Sequence, residues 1–228
     1  MKYFAKAAAA ASILTASAIP FAASAQVQGI ATADTVNVVA QTKSFQNAYN
    51  QIQTQYKSFA DQIQAKSVEL NAMNAKLDTN GDKEVNQQEM DNAVRAKNPV
   101  LAQIRTKTKE INDLAAPIEK ARVYAIDQIV KQYGTAQSNV IRSKKISLML
   151  APDAFLYAPD SVDVSSAITA ELDRILPAVN IAPPADWRAS RQSIGLYQQI
   201  QQVITLSRRA QAAQAAQAQP AAAQPGGR

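Results

Sequence analysis

No cysteine and no histidine occur anywhere in the 228 residues. This removes disulfide frameworks, thiolate nucleophiles, imidazole bases and every zinc site built on nitrogen or sulfur ligands. Glycine is scarce as well. Six residues in the whole chain leave little room for a glycine-rich phosphate loop, and no segment resembles an active-site turn, so an enzyme is not expected. A chain without thiols cannot be mispaired in an oxidising compartment, which suits export. Long apolar runs are missing too. The stretch Ala7 to Phe21 is rich in alanine and shorter than the roughly 20 residues that a bilayer core demands.

That stretch follows Lys2 and Lys6 and precedes Ala23-Ser24-Ala25, the small-x-small pattern that a signal peptidase reads. Residues 1–25 are therefore expected to be a cleaved secretory signal, with cleavage after Ala25. The formal net charge is +6, and it is unevenly placed: Thr42 to Lys145 holds 16 basic against 11 acidic residues, whereas Ile146 to Arg228 holds six of each. The excess falls on one region, where it could attract acidic clients, an anionic membrane surface or nucleic acid. Nucleic acid is disfavoured by export and by the lack of interleaved aromatic and basic residues.

What is present is helical periodicity. Phe45, Tyr49, Ile52, Tyr56, Phe59, Ile63, Leu70, Met73 and Leu77 fall in three-four alternation that only Lys66 interrupts, which predicts a helix from about Ser44 to Leu77 with one apolar seam. A turn follows at residues 78–86. Helix resumes from Asn86 to Lys97 and again after the Asn98-Pro99 cap to about Ser143, with Leu101, Ile104, Ile111, Ala115, Ile118, Ala125 and Ile129 continuing the pattern and Pro117 expected to kink it. The two stretches make an antiparallel helical hairpin, a coiled-coil arm over residues 42–145. At its base, Thr35 to Ala40, Ile146 to Leu150 and Phe155 to Ala158 read as three short strands, and residues 26–41 and 146–179 as a small β body for association. Val164, Ile168, Leu172 and Ile175 mark a further helix. Residues 180–209 read as a linker and an extra helix from Trp187, capped by Asp186, with Trp187 a docking anchor. Ala210 to Arg228 is Ala/Gln/Pro low complexity and is expected to be a disordered tail.

The hairpin turn carries one candidate metal loop. Asp78, Asn80, Asp82 and Glu89 stand at positions one, three, five and twelve of an EF-hand-like pattern, with Val85 at position eight. Lys83 occupies the sixth position, where glycine is wanted. A plain polar turn is the competing reading, and weak calcium is the only cofactor considered.

A cleaved signal, a short valine-rich strand, a long helical hairpin and then ISLMLAPDAFLYAPDSVDVSSAITAELDRIL, residues 146–176, together resemble the Skp/OmpH family of periplasmic chaperones. The resemblance spans about Thr32 to Val179. It implies a mainly α fold with a small β body and a jellyfish-like homotrimer whose arms enclose a cavity. It also implies a periplasmic, ATP-independent holdase with unfolded outer-membrane proteins as clients. The alternatives are a structural coiled-coil scaffold of the envelope or a weak calcium-binding EF-hand-like protein.

Overall fold

A computed structural model describes residues 29–218, with side chains to residue 215. The signal expected at residues 1–25 and the last part of the expected tail, residues 219–228, lie outside the described residues. Two strands, β1 (Ile30–Thr32) and β2 (Leu148–Leu150), pair in parallel with Ile30 opposite Leu148, and Thr32 forms a further bridge to Asp163. Gly29 leads into β1 at φ 97°. A Cβ there would meet Ser147 Oγ at 2.9 Å, so only glycine allows the close approach at which its carbonyl accepts from the amides of Ser147 and Leu148.

The strand expected at Thr35–Ala40 is helix α1 (Thr35–Gln41) instead. Asp34 decides the matter: its carboxylate accepts from the amides of Val36 and Asn37, an N-cap that starts a helix just where the valines suggested a strand. Val38 and Val39 are then fully buried against α6 (Ser165–Ile175) and the longest helix, α5 (Val100–Lys144). The strand expected at Phe155–Ala158 is also absent. Two short 3-10 turns, Pro152–Ala154 and Asp160–Val162, bracket an irregular loop there, as the flanking prolines favour.

The arm has two sides. Its outgoing side is α2 (Lys43–Gln55), capped by Thr42, then α3 (Lys57–Asn74); its returning side is the short α4 (Gln87–Arg95) and α5. The single helix expected from Ser44 to Leu77 is thus broken at Tyr56, and α5 passes Pro117 without ending.

The C-terminal region departs most from expectation. The last helix, α7 (Arg191–Ala218), starts four residues after Trp187 and runs through Ala210, where a disordered tail was expected, because alanine and glutamine are good helix formers whatever their complexity. Its Leu196 and Ile200 are buried in the main core with Ile126, Ile129, Ile168 and Leu172. The preceding segment crosses α5 as a strap, with Ile181 buried among Ala48, Ile52, Ile118 and Ala121. None of the described helices is long and apolar enough to cross a membrane.

Candidate functional site

The predicted seam does face the opposite helix. Tyr56, Phe59 and Ile63 on the outgoing side pack on the cluster that holds Ile118 and Ala121, and Leu70 and Met73 are half-buried further out. Lys66, the one interruption, crosses to Glu110 at 2.7 Å, while Lys107 reaches Glu69 at 2.8 Å and Glu110 at 3.1 Å. Hydrogen bonds from these lysines hold both carboxyls below the usual range and raise Lys107 above its own. An interhelical charge cluster thus interrupts the apolar seam in the middle of the arm. Off the seam, Val68 and Val94 are 59 % and 57 % exposed. These side chains are free to touch another chain, and their position outside the three-four series is the sequence signal that separates them from seam residues.

At the arm tip the four candidate ligands are brought into one turn, but their oxygens face the backbone. Asp78 accepts from the amides of Gly81 and Lys83, Asn80 from that of Asp82, and Asp82 from that of Glu84. Lys83 takes the left-handed conformation, φ 70°, that the sixth position of such a loop requires. Glu89, 5 % exposed, accepts from the amides of Thr79, Asn80 and Asn86 and from the Thr79 hydroxyl, and with Asn86 it forms a capping box on α4. Among the described residues no group of three Asp or Glu side chains is arranged to hold an ion.

The backbone N–H of Asn86, with those of Thr79 and Asn80 and the Thr79 hydroxyl, holds the Glu89 carboxyl down to about 2. Its folded value lies below its unfolded value of about 4.3. The stabilisation it gives the tip is therefore complete above that unfolded value and is lost as pH falls towards about 2. The amide resonances of Thr79 and Asn80 are expected to shift over this acid window, and Glu89→Gln should abolish the response.

The base offers a different surface. Leu148 on β2 is 48 % exposed, and Leu156 and Tyr157 in the loop between the 3-10 turns are wholly or largely exposed. Beside β1 lies a cavity of about 640 Å³ lined by Lys144, Lys145, Ser161 and Asp163 among others. Nothing in the sequence read singly marks these groups as neighbours; the pairing of β1 with β2 brings them together.

The model of the family described as outer membrane protein (OmpH-like) matches residues 29–172, which takes in both strands, the whole arm and most of α6. The chain belongs to the OmpH-like family. A similar solved structure is a candidate outer membrane chaperone (OmpH-like) from Caulobacter crescentus CB15, at 14 % identity, a TM-score of 0.44, and coverage of 71 % of this chain and 94 % of that one. No curated protein matches the sequence. The OmpH-like match stops at residue 172, before the strap and α7, which a polar cluster fastens to α5. Its centre is Asp127, 3 % exposed, which accepts from Ser193 Oγ at 2.6 Å and from the Trp187 indole N–H at 3.2 Å and pairs with Lys131 at 2.8 Å. Burial pushes the Asp127 carboxyl up, but the bonds from Lys131, Ser193 and Trp187 outweigh it and leave it below its ordinary value.

Proposed function

We propose that this chain is an ATP-independent periplasmic holdase, a homotrimer joined through the base, which keeps unfolded outer-membrane proteins between its arms. Family membership supports the chaperone class. The observation that carries the mechanism is the middle of the arm, where α3 has no buried residue and apolar side chains stand half-exposed among paired and unpaired charges. Such a surface grips through many weak contacts and releases without an energy source, whereas a deep pocket would commit to one ligand. The basic excess of the arm adds long-range attraction for acidic stretches of a client.

An outer-membrane β-barrel protein diluted from urea into a severalfold molar excess of this protein should stay clear by light scattering, without nucleotide. Salt at about 0.5 M, which screens exposed charges beyond a few ångströms, should weaken the protection without removing it. A scaffolding coiled coil would leave aggregation unchanged, and that result would overturn the holdase reading. Complete indifference to salt would remove its electrostatic part.

Calcium enters this reading as a weak ligand of the tip. An ion there must displace Glu89 from Thr79, Asn80 and Asn86. Heat of binding is expected only at millimolar calcium, the range of weak extracellular modules, and Asp78→Ala combined with Glu89→Gln should abolish it. Equal heats in both proteins would leave only the turn.

A further inference from the structure

Burial in the arm stops at one level and returns only at the tip, where Leu77, Glu89 and Ala93 are buried. On the outgoing side the buried residues are Ser44, Phe45, Ala48 and Ile52 in α2, and α3 has none. Along α5 every buried side chain lies at Ile118 or beyond it. A conformational break in one side and a proline in the other sit at the same level. Tyr56, between α2 and α3, leaves the helical range with φ −102° and ψ 18°. Tyr56 packs against the cluster that contains Ile118, the residue after Pro117, and a proline there has no N–H to return to the carbonyl one turn back.

The C-terminal strap fastens only the side of this level that faces the base. Gln128 holds Asn180 by a reciprocal pair, donating to its carbonyl at 2.8 Å and accepting from its amide at 3.0 Å. Ile181 fills the groove between α2 and α5 just inside the level. Trp187 lies edge-on to Tyr124 with ring centroids 5.1 Å apart and donates to Asp127, and Gln201 of α7 donates to Tyr49 of α2. Between the level and the tip, the two sides are held by seam contacts and by the Lys66, Glu69, Lys107 and Glu110 charges.

We infer that the arm is a jointed lever: it bends at Tyr56 and Pro117, and the strap with α7 clamps the root so that only the outer part swings. The extension outside the OmpH-like match then decides where the arm flexes and hence how wide the outer parts can part, whatever the arm holds. The inference does not depend on the holdase reading.

Hydrogen exchange on the full chain tests the clamp. Trp187→Ala should speed amide exchange about tenfold in Lys43–Gln55 and in residues 118–131, and leave Lys57–Asn74 and residues 100–113 unchanged, since local opening follows local packing. Gln128→Ala, which removes the two bonds to Asn180 and one to the Tyr124 carbonyl within its own helix, should act in the same direction more weakly and guards against a Trp187 variant that fails to fold. Equal acceleration on both sides of the joint, or none at the root, would overturn the clamp. The joint is tested by spin labels at Asn71→Cys and Lys144→Cys, the only thiols in the chain, diluted with unlabelled protein. Pro117→Ala restores the missing N–H and should narrow the distance distribution between the labels. An unchanged distribution would overturn the joint.

Discussion

Leu148→Asp is expected to turn a trimer into single chains. In the isolated protomer β2 is three residues long, pairs with β1 on one side, and leaves Leu148 nearly half exposed beside a loop that presents Leu156 and Tyr157 to solvent. A two-stranded sheet of this size is marginal alone, and an open apolar edge invites another copy. A buried, unpaired carboxylate at that edge would cost several kcal/mol per protomer, enough to outweigh a small interface. Sedimentation equilibrium at micromolar concentration should report three chains for the parent and one for the variant. Ala212→Asp on the exposed face of α7 should leave the assembly intact. A parent protein that sediments as one chain with unchanged circular dichroism would remove the trimer.

The second large effect lies at Asp127. Asp127→Ala should lower stability by about 2–4 kcal/mol, because it deletes charge-assisted hydrogen bonds and strands the Trp187 indole N–H beside the Tyr124 ring. Ser193 is fully buried but keeps Ser190 as a partner at 2.6 Å, which places the cost towards the lower end. Asp127→Asn retains an acceptor for either donor and should cost less. Trp187 is the one tryptophan in the chain, so its fluorescence reads the strap alone. The emission should shift to the red in the alanine variant and, in the parent, on acidification. The carboxyl is held below its unfolded value of about 3.9. Its contribution is thus present in full above that value and is lost as pH falls beneath it.

The arm was legible because its signal is long and periodic. A seam carried from Phe45 to Leu77 names the inward face of the outgoing side, whereas the capping box of Asn86 and Glu89 went unread because Glu89 was taken for a metal ligand. The base was legible only in part. Residues 35–40 hold three valines, and β-branched content outweighed the cap at Asp34 in the reading, although burial of Val38 and Val39 with Thr42 is a helical spacing. Phe155 to Ala158 looked like a strand from composition, yet the prolines on both sides set turns that tertiary pairing never overrides. The clamp was invisible for a different reason. Asp127 stands between Ile126 and Ile129 on a buried stretch, a warning that a partner must exist, but its partners Trp187 and Ser193 lie 60 and 66 positions away, and their arrival depends on the path of an irregular strap.

The parallel pairing of β1 with β2 has a consequence for how such proteins can vary. Parallel strands cannot be joined by a tight turn and need a long crossover; here that crossover is the entire arm. The base is sealed by contacts such as the Asp34 amide to Ser165 Oγ and Thr169 Oγ1 to the carbonyl of Val38, each linking residues 131 positions apart, and none of them senses how far the hairpin travels before it returns. Matched heptads can be cut from α3 and from the facing part of α5, or inserted there, without moving a residue of the sheet. Reach is thereby uncoupled from assembly, and an evolving lineage can resize its grasp one pair of turns at a time while the hub keeps its register.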